Sequence, residues 1–148
     1  MSLRILLADD NPALRSRLGE LLTSAHDDWA ICAEAENGLQ AISKTIDQRP
    51  DVVILDLSMP VMDGLEAARE IANVSASVPI FLYTLHTIPE LEQQARKFGI
   101  TQVVCKPNWQ SLFDGIESAV KAQEQDQGPP ASSPPGRSSS RDRNLSAD

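Results

Sequence analysis

The chain has 148 residues, 41% of them hydrophobic but only 4% aromatic, so it reads as one ordinary domain whose core must be filled by aliphatic side chains. Its formal charge is −8, and most of the excess acid lies before Ala122. Such a surface is repelled by nucleic-acid phosphates and suits divalent cations or basic partner surfaces. Cys32 and Cys105 stand in apolar runs without metal-ligand spacing, which reads as two reduced core thiols and gives no sign of an oxidising compartment.

Leu3–Ala8 is a short aliphatic run and predicts a buried strand. It is too short for a signal peptide or a membrane span, so the protein reads as cytosolic, with no membrane contact. Asn11-Pro12 predicts a helix start, with Asn as the cap and Pro at the first helical position. Leu14, Leu18, Leu21 and Leu22 follow at helical spacing. Trp29–Ala35 predicts a second strand, broken by Asn37-Gly38 before a helix carrying Leu39, Ile42 and Ile46. Residues 51–55, Asp-Val-Val-Ile-Leu, predict a central strand. After the Asp63-Gly64 turn, Leu65, Ala68, Ile71 and Ala72 mark a third helix. Residues 78–83 predict a fourth strand, and Pro89 opens a helix with Leu91, Ala95 and Phe98 that Gly99 ends. Residues 101–105 predict a fifth strand. Residues 109–120 predict a last helix, with Leu112, Phe113, Ile116 and Val120 on one face.

Strands alternating with helices predict an α/β fold, a parallel five-stranded sheet covered by five helices on its two faces, with right-handed crossovers. Residues 1–122 form this domain. Residues 123–148 are rich in Gln, Pro, Ser and Gly and predict a disordered tail, which buries too little apolar surface to offset its ordering entropy.

In a doubly wound sheet the functional crevice lies at the carboxyl ends of the strands. Asp9 and Asp10 close the first strand, Asp56 the third, Thr84 the fourth and Lys106, followed by Pro107, the fifth. Any one of these has an ordinary explanation, such as an Asp capping the next helix or a lysine before a rigid turn. As a set they are chemically coherent. Crowded carboxylates repel one another, and a hard oxygen-seeking cation such as Mg²⁺ relieves the repulsion. A carboxylate can form an acyl phosphate, and phosphoryl transfer needs charge neutralisation above all. The metal and Lys106 supply that charge, and the Thr84 hydroxyl can donate to a phosphoryl oxygen.

The segments Ile-Leu-Leu-Ala-Asp-Asp at 5–10 and Asp-Val-Val-Ile-Leu-Asp-Leu-Ser-Met-Pro-Val-Met-Asp-Gly at 51–64, with Thr84 and Lys106-Pro107, resemble CheY-like response-regulator receiver domains. The resemblance runs from about Leu3 to Ala122, and Ala33-Glu-Ala-Glu-Asn-Gly38 is similar to the family's turn after the second strand. It implies the flavodoxin-like strand order 2-1-3-4-5 and a stand-alone phosphoprotein of two-component or phosphorelay signal transduction. It also implies the roles. Asp56 is the phosphoacceptor, and Asp10 is a direct Mg²⁺ ligand with Asp9 acting through water. The Ser58 backbone carbonyl is a third protein ligand beside Asp56 itself, Thr84 is the switch hydroxyl, and Lys106 pairs with the phosphoryl group. The Lys106-Pro107 peptide is expected to be cis. The expected donor is a sensor histidine kinase or histidine phosphotransfer protein. The expected output is a downstream protein bound on the face of the fourth helix, fifth strand and fifth helix.

The sequence departs from the family at the rim. Val103 stands where receivers often carry an aromatic that swings inward on phosphorylation. Leu85 replaces the usual small residue after the switch threonine and would narrow access, slowing phosphoryl exchange. His86 is close enough in sequence to reach a phosphoryl group, and Trp109 opens the last helix as a candidate anchor for a partner. Two other readings compete. An aspartyl-nucleophile phosphatase would want a second acid two residues after Asp56, where this chain has Ser58. A receiver-shaped interaction module that is never phosphorylated would not need the full set of groups that is present.

Overall fold

The structure is a computed structural model and describes residues 2–85 and 87–126. The expectation for His86 and that for the tail from residue 127 onward lie outside the described residues. Five strands, β1 (Leu3–Ala8), β2 (Trp29–Ala35), β3 (Val52–Leu55), β4 (Ile80–Thr84) and β5 (Gln102–Cys105), form one parallel sheet in the order β2-β1-β3-β4-β5. This is the doubly wound order expected. The helices are α1 (Pro12–Ala25), α2 (Gly38–Gln48), α3 (Gly64–Val74), α4 (Pro89–Lys97) and α5 (Trp109–Asp126). The strands, the first four helices and the site lie within the compact unit that ends at Ile116.

Alternation along the strands sorts the core into two layers. Leu6, Ala8, Val53, Leu55, Ile80 and Leu82 join one buried cluster with Ala41, Ala67, Ala68, Ile71, Leu91 and Ala95 of α2, α3 and α4. The opposite face carries Ile5, Leu7, Ile54 and Phe81, all buried. There α1 approaches through Gly19, beside Leu7 and Ile31, and α5 through Gly115, beside Phe81. Aliphatic side chains dominate the core, as the composition required.

Local chemistry sets the helix starts. The Asn11 side chain accepts from the backbone N–H of Ala13 and Leu14, Asn37 from Gln40, and Asp63 from Glu66. Each satisfies amides that the first helical turn leaves unpaired. Gly99, at φ 81°, turns the chain after α4.

Four expectations need correction. The two cysteines read as core thiols are not buried: Cys105 is exposed and Cys32 only partly covered, because both lie on the outermost strands of the sheet. The fourth strand starts at Ile80, not at residue 78, because Pro79 has no N–H for the ladder and the Val78 N–H turns back to the Ser75 carbonyl. In α2 the buried side chains are Ala41 and Thr45, while Leu39 and Ile46 are more than half exposed. Small residues let α2 lie close to the sheet, and the longer ones are left at its flanks. The last helix continues past residue 120 to Asp126, because a mixed run of Lys, Ala, Gln and Glu favours helix even where it adds no apolar face.

The loop after β3 contains Val61 at φ 72°, with the Met62 N–H donating to the Pro60 carbonyl at 2.7 Å. That is a three-residue turn of the positive-φ kind, strained for a β-branched residue. Val61 is also 75% exposed, so its side chain gains little from burial. Replacing it by glycine should stabilise the fold by about 1 kcal/mol, the strain relieved exceeding the added unfolded-state entropy. Urea unfolding of Val61→Gly beside wild type checks this, and an unchanged or lower midpoint would refute it.

Candidate functional site

The β1, β3, β4 and β5 ends meet on one edge of the sheet because the parallel order makes these strands neighbours. The backbone stitches them together. The Asp56 N–H donates to the Ala8 carbonyl at 2.9 Å, and the Lys106 N–H to the Thr84 carbonyl at 2.7 Å. The Lys106-Pro107 peptide is cis, as expected.

Asp9, Asp10 and Asp56 each bring a carboxylate oxygen within 4.8 Å of the others. A cleft of about 370 Å³ is lined by these three together with Ser58, Thr84 and Lys106. All six residues singled out from the sequence therefore share one cavity. Lys106 Nζ sits 2.9 Å from Asp9 Oδ2 and 3.5 Å from Asp56 Oδ1, and the three side chains are only 11–13% exposed. The lysine is thus held more closely by Asp9 than by the expected phosphoacceptor. Burial pushes the Asp56 carboxyl above the ordinary carboxylate range. Lys106 opposes that shift, and Asp9 and Asp10 add to it by like-charge repulsion. Thr84 is 4% exposed, and its hydroxyl has no hydrogen bond among the described residues.

Two positioning contacts were not read from the sequence. Arg15 donates from Nη1 to the Asp9 carbonyl at 2.6 Å and pairs through Nε with Glu34 Oε1 at 2.6 Å. It thereby ties the β1 end to β2 across a span of sequence that periodicity does not reveal. Gly64 is the second. A Cβ at Gly64 would stand 2.1 Å from the Asp56 carbonyl oxygen, so only glycine lets α3 start against the Asp56 backbone.

The family model for the response regulator receiver domain matches residues 5–117. The chain belongs to the response-regulator receiver family. This receiver is 33% identical over 123 residues to the chemotaxis protein CheY of Halobacterium salinarum, spanning 82% of this chain and 100% of that protein. It is 32% identical over 120 residues to the chemotaxis protein CheY of Listeria monocytogenes, spanning 80% and 99% respectively. Among solved structures, a LuxR-family two-component response regulator from Aurantimonas sp. SI85-9A1 aligns at a TM-score of 0.78 and 28% identity, over 82% of this chain and 87% of that one. A CheY-like receiver domain protein from Methanospirillum hungatei JF-1 shares the fold at a TM-score of 0.77 and 19% identity, over 85% and 99% of the two chains. Receiver domains bind Mg²⁺ at an acidic pocket, and Asp9, Asp10 and Asp56 form an acidic cluster here.

The rim departures are also visible. Val103 is half-buried and packs against the core cluster on the α4 side. Leu85 is 63% exposed and lines the cleft. Its carbonyl accepts from the Cys105 thiol at 3.3 Å. Trp109 packs on Phe113, with ring centroids 5.2 Å apart. It faces a second cavity shared with α1, so its exposed surface adjoins α1 as well as the β5–α5 junction.

The raised Asp56 pKa has a stability consequence. The folded protein holds that proton to higher pH than the unfolded chain does. Stability contributed by this group is therefore lost as pH rises from the ordinary carboxylate range through the raised value. Metal-free Asp56→Asn should melt a few degrees above wild type at neutral pH, since Lys106 keeps its shorter bond to Asp9. The gap should close below about pH 4, where carboxylates of ordinary pKa are protonated. Thermal melts in chelator across that range check this, and a mutant that melts lower at neutral pH would contradict it.

Proposed function

We propose that this receiver is a phosphorylation-controlled signalling module, with Asp56 as phosphoacceptor. A sensor histidine kinase or histidine phosphotransfer protein donates the phosphoryl group in the cytosol, and the modified receiver binds a downstream protein in two-component signal transduction. The observation that carries this reading is the largely buried Asp56 carboxylate 3.5 Å from Lys106, in one cleft with two more aspartates and the buried Thr84. The donor set suits a hard cation: all carboxylate and carbonyl oxygen, with crowded like charges. The carboxylates of Asp9, Asp10 and Asp56 and the Ser58 backbone carbonyl would hold Mg²⁺. Bound there, the ion neutralises charge on the carboxylates and on the phosphoryl oxygens.

The chain's own residues do the rest. An Asp56 oxygen attacks phosphorus, the bond from phosphorus to the donor's leaving atom breaks, and the leaving group departs with that electron pair. Lys106 is already aimed at Asp56 and transfers its pairing from carboxylate to phosphoryl oxygen. Thr84 donates its buried hydroxyl to another phosphoryl oxygen. That movement at the β4 end shifts an equilibrium between two arrangements of the loops above it. The output face is that of α4, β5 and α5. The receiver catalyses only its own phosphorylation and dephosphorylation. Ser58, two residues past Asp56, has no pKa suited to the general acid and base of an aspartyl phosphatase.

The test is intact mass after incubation with a small-molecule phosphodonor. Wild type should gain one phosphoryl group only with Mg²⁺ present, and Asp56→Asn should gain none. A wild type that binds Mg²⁺ but takes up no phosphoryl group from this donor or from a cognate kinase would favour a phosphorylation-independent interaction module. Exposed Leu85 narrows the cleft mouth, so Leu85→Ala should autodephosphorylate several-fold faster than wild type. Equal decay of the phosphorylated forms would remove Leu85 as the cause of slow exchange.

A further inference from the structure

Beside the phosphoacceptor cleft lies a second cavity of about 410 Å³, in the size range of small-ligand sites, roughly 300–1,000 Å³. Its walls are mostly apolar: Leu14, Leu18 and Leu21 of α1, Tyr83 of β4, Leu85 and Trp109. Three of these leave large apolar surface uncovered, Leu14 at 48%, Leu85 at 63% and Trp109 at 38% exposure. Asp9, Leu14, Leu85 and Lys106 line both cavities, so the groove and the cleft adjoin across these side chains. Arg17 also lines the groove. The groove is therefore mostly apolar, carries the Arg17 side chain in its wall, and adjoins the lysine that faces Asp56.

We infer that this groove is a leaving-group subsite. It receives the apolar part of a small-molecule phosphodonor, so that among acyl phosphates those with medium-length alkyl chains react faster than acetyl phosphate. The inference rests on the phosphoacceptor reading above and concerns small-molecule donors at that same site. A phosphoryl group held in the cleft by Lys106 and Thr84 leaves the rest of the donor at the shared rim, against Leu14 and Leu85. A methyl group ends there, whereas a longer chain continues along α1 to Trp109 and exchanges water for apolar contact. The step balances. An Asp56 carboxylate oxygen forms the new bond to phosphorus, the bond from phosphorus to the acyl oxygen breaks, and the alkyl carboxylate leaves with the bonding electrons.

Acetyl phosphate and hexanoyl phosphate separate the two ideas, because they are chemically alike at phosphorus and differ in chain length. The second-order rate of phosphorylation is read by intact mass on the full chain with Mg²⁺. Hexanoyl phosphate should react about tenfold faster or more, the scale of apolar discrimination in a hydrophobic pocket. In Leu14→Asn and in Trp109→Ser the hexanoyl-to-acetyl ratio should fall toward one. The ratio is taken within each variant, so a general loss of stability or activity cancels. Equal rates in wild type, or a preference that survives both substitutions, would overturn the subsite. Failure of both donors on wild type would instead count against the phosphoacceptor reading beneath it.

Discussion

The like-charge crowding of Asp9, Asp10 and Asp56 is the constraint on which the rest of the site depends. A parallel sheet delivers strand ends side by side, and two adjacent strands here end in acids. Lys106 relieves part of the repulsion by bridging Asp9 and Asp56. One cation among three carboxylates leaves a net negative site, and burial keeps Asp56 reluctant to ionise. The cleft is thus tuned for added positive charge, and a divalent ion with oxygen preferences satisfies it best.

The backbone around this cluster is held by contacts that are individually modest. Arg15 fixes the Asp9 carbonyl, the Asp56 N–H stays in the sheet ladder, and Gly64 allows α3 to start against the Asp56 carbonyl. Gly38 donates its N–H to the Met62 carbonyl at 2.9 Å, coupling the start of α2 to the loop that follows Asp56. The strained turn at Val61 sits in that same loop. Backbone strain beside a reactive group persists where surrounding contacts over-determine it, and here they do.

The rim is where this receiver departs from the family pattern. Val103 offers no ring and already packs in the core cluster. Tyr83, on the other face of β4 from Thr84, is 7% exposed, with Lys106 Nζ 5.7 Å from its ring centroid. Leu85 and Trp109 add uncovered apolar surface to the same neighbourhood. Apolar bulk is found here between the cleft and α1.

The sequence by itself determined the element order, the strand identities and the six residues that share one cleft. Short aliphatic runs bounded by Asp, Asn and Gly leave few alternatives to buried parallel strands, and residues at strand ends must converge once the sheet is parallel. It also indicated every helix start with a side-chain cap. It did not determine which part of an apolar stripe is covered. Leu14, Leu39 and Ile46 fit helical periodicity but stay exposed, because periodicity marks a face and only packing decides how much of that face meets a neighbour. Nor could it pair Lys106 more closely with Asp9 than with Asp56, a choice made by distances between strand ends. The groove between α1 and Trp109 belongs to tertiary structure alone, since its walls come from α1, β4 and the loops after β4 and β5, which only folding brings together.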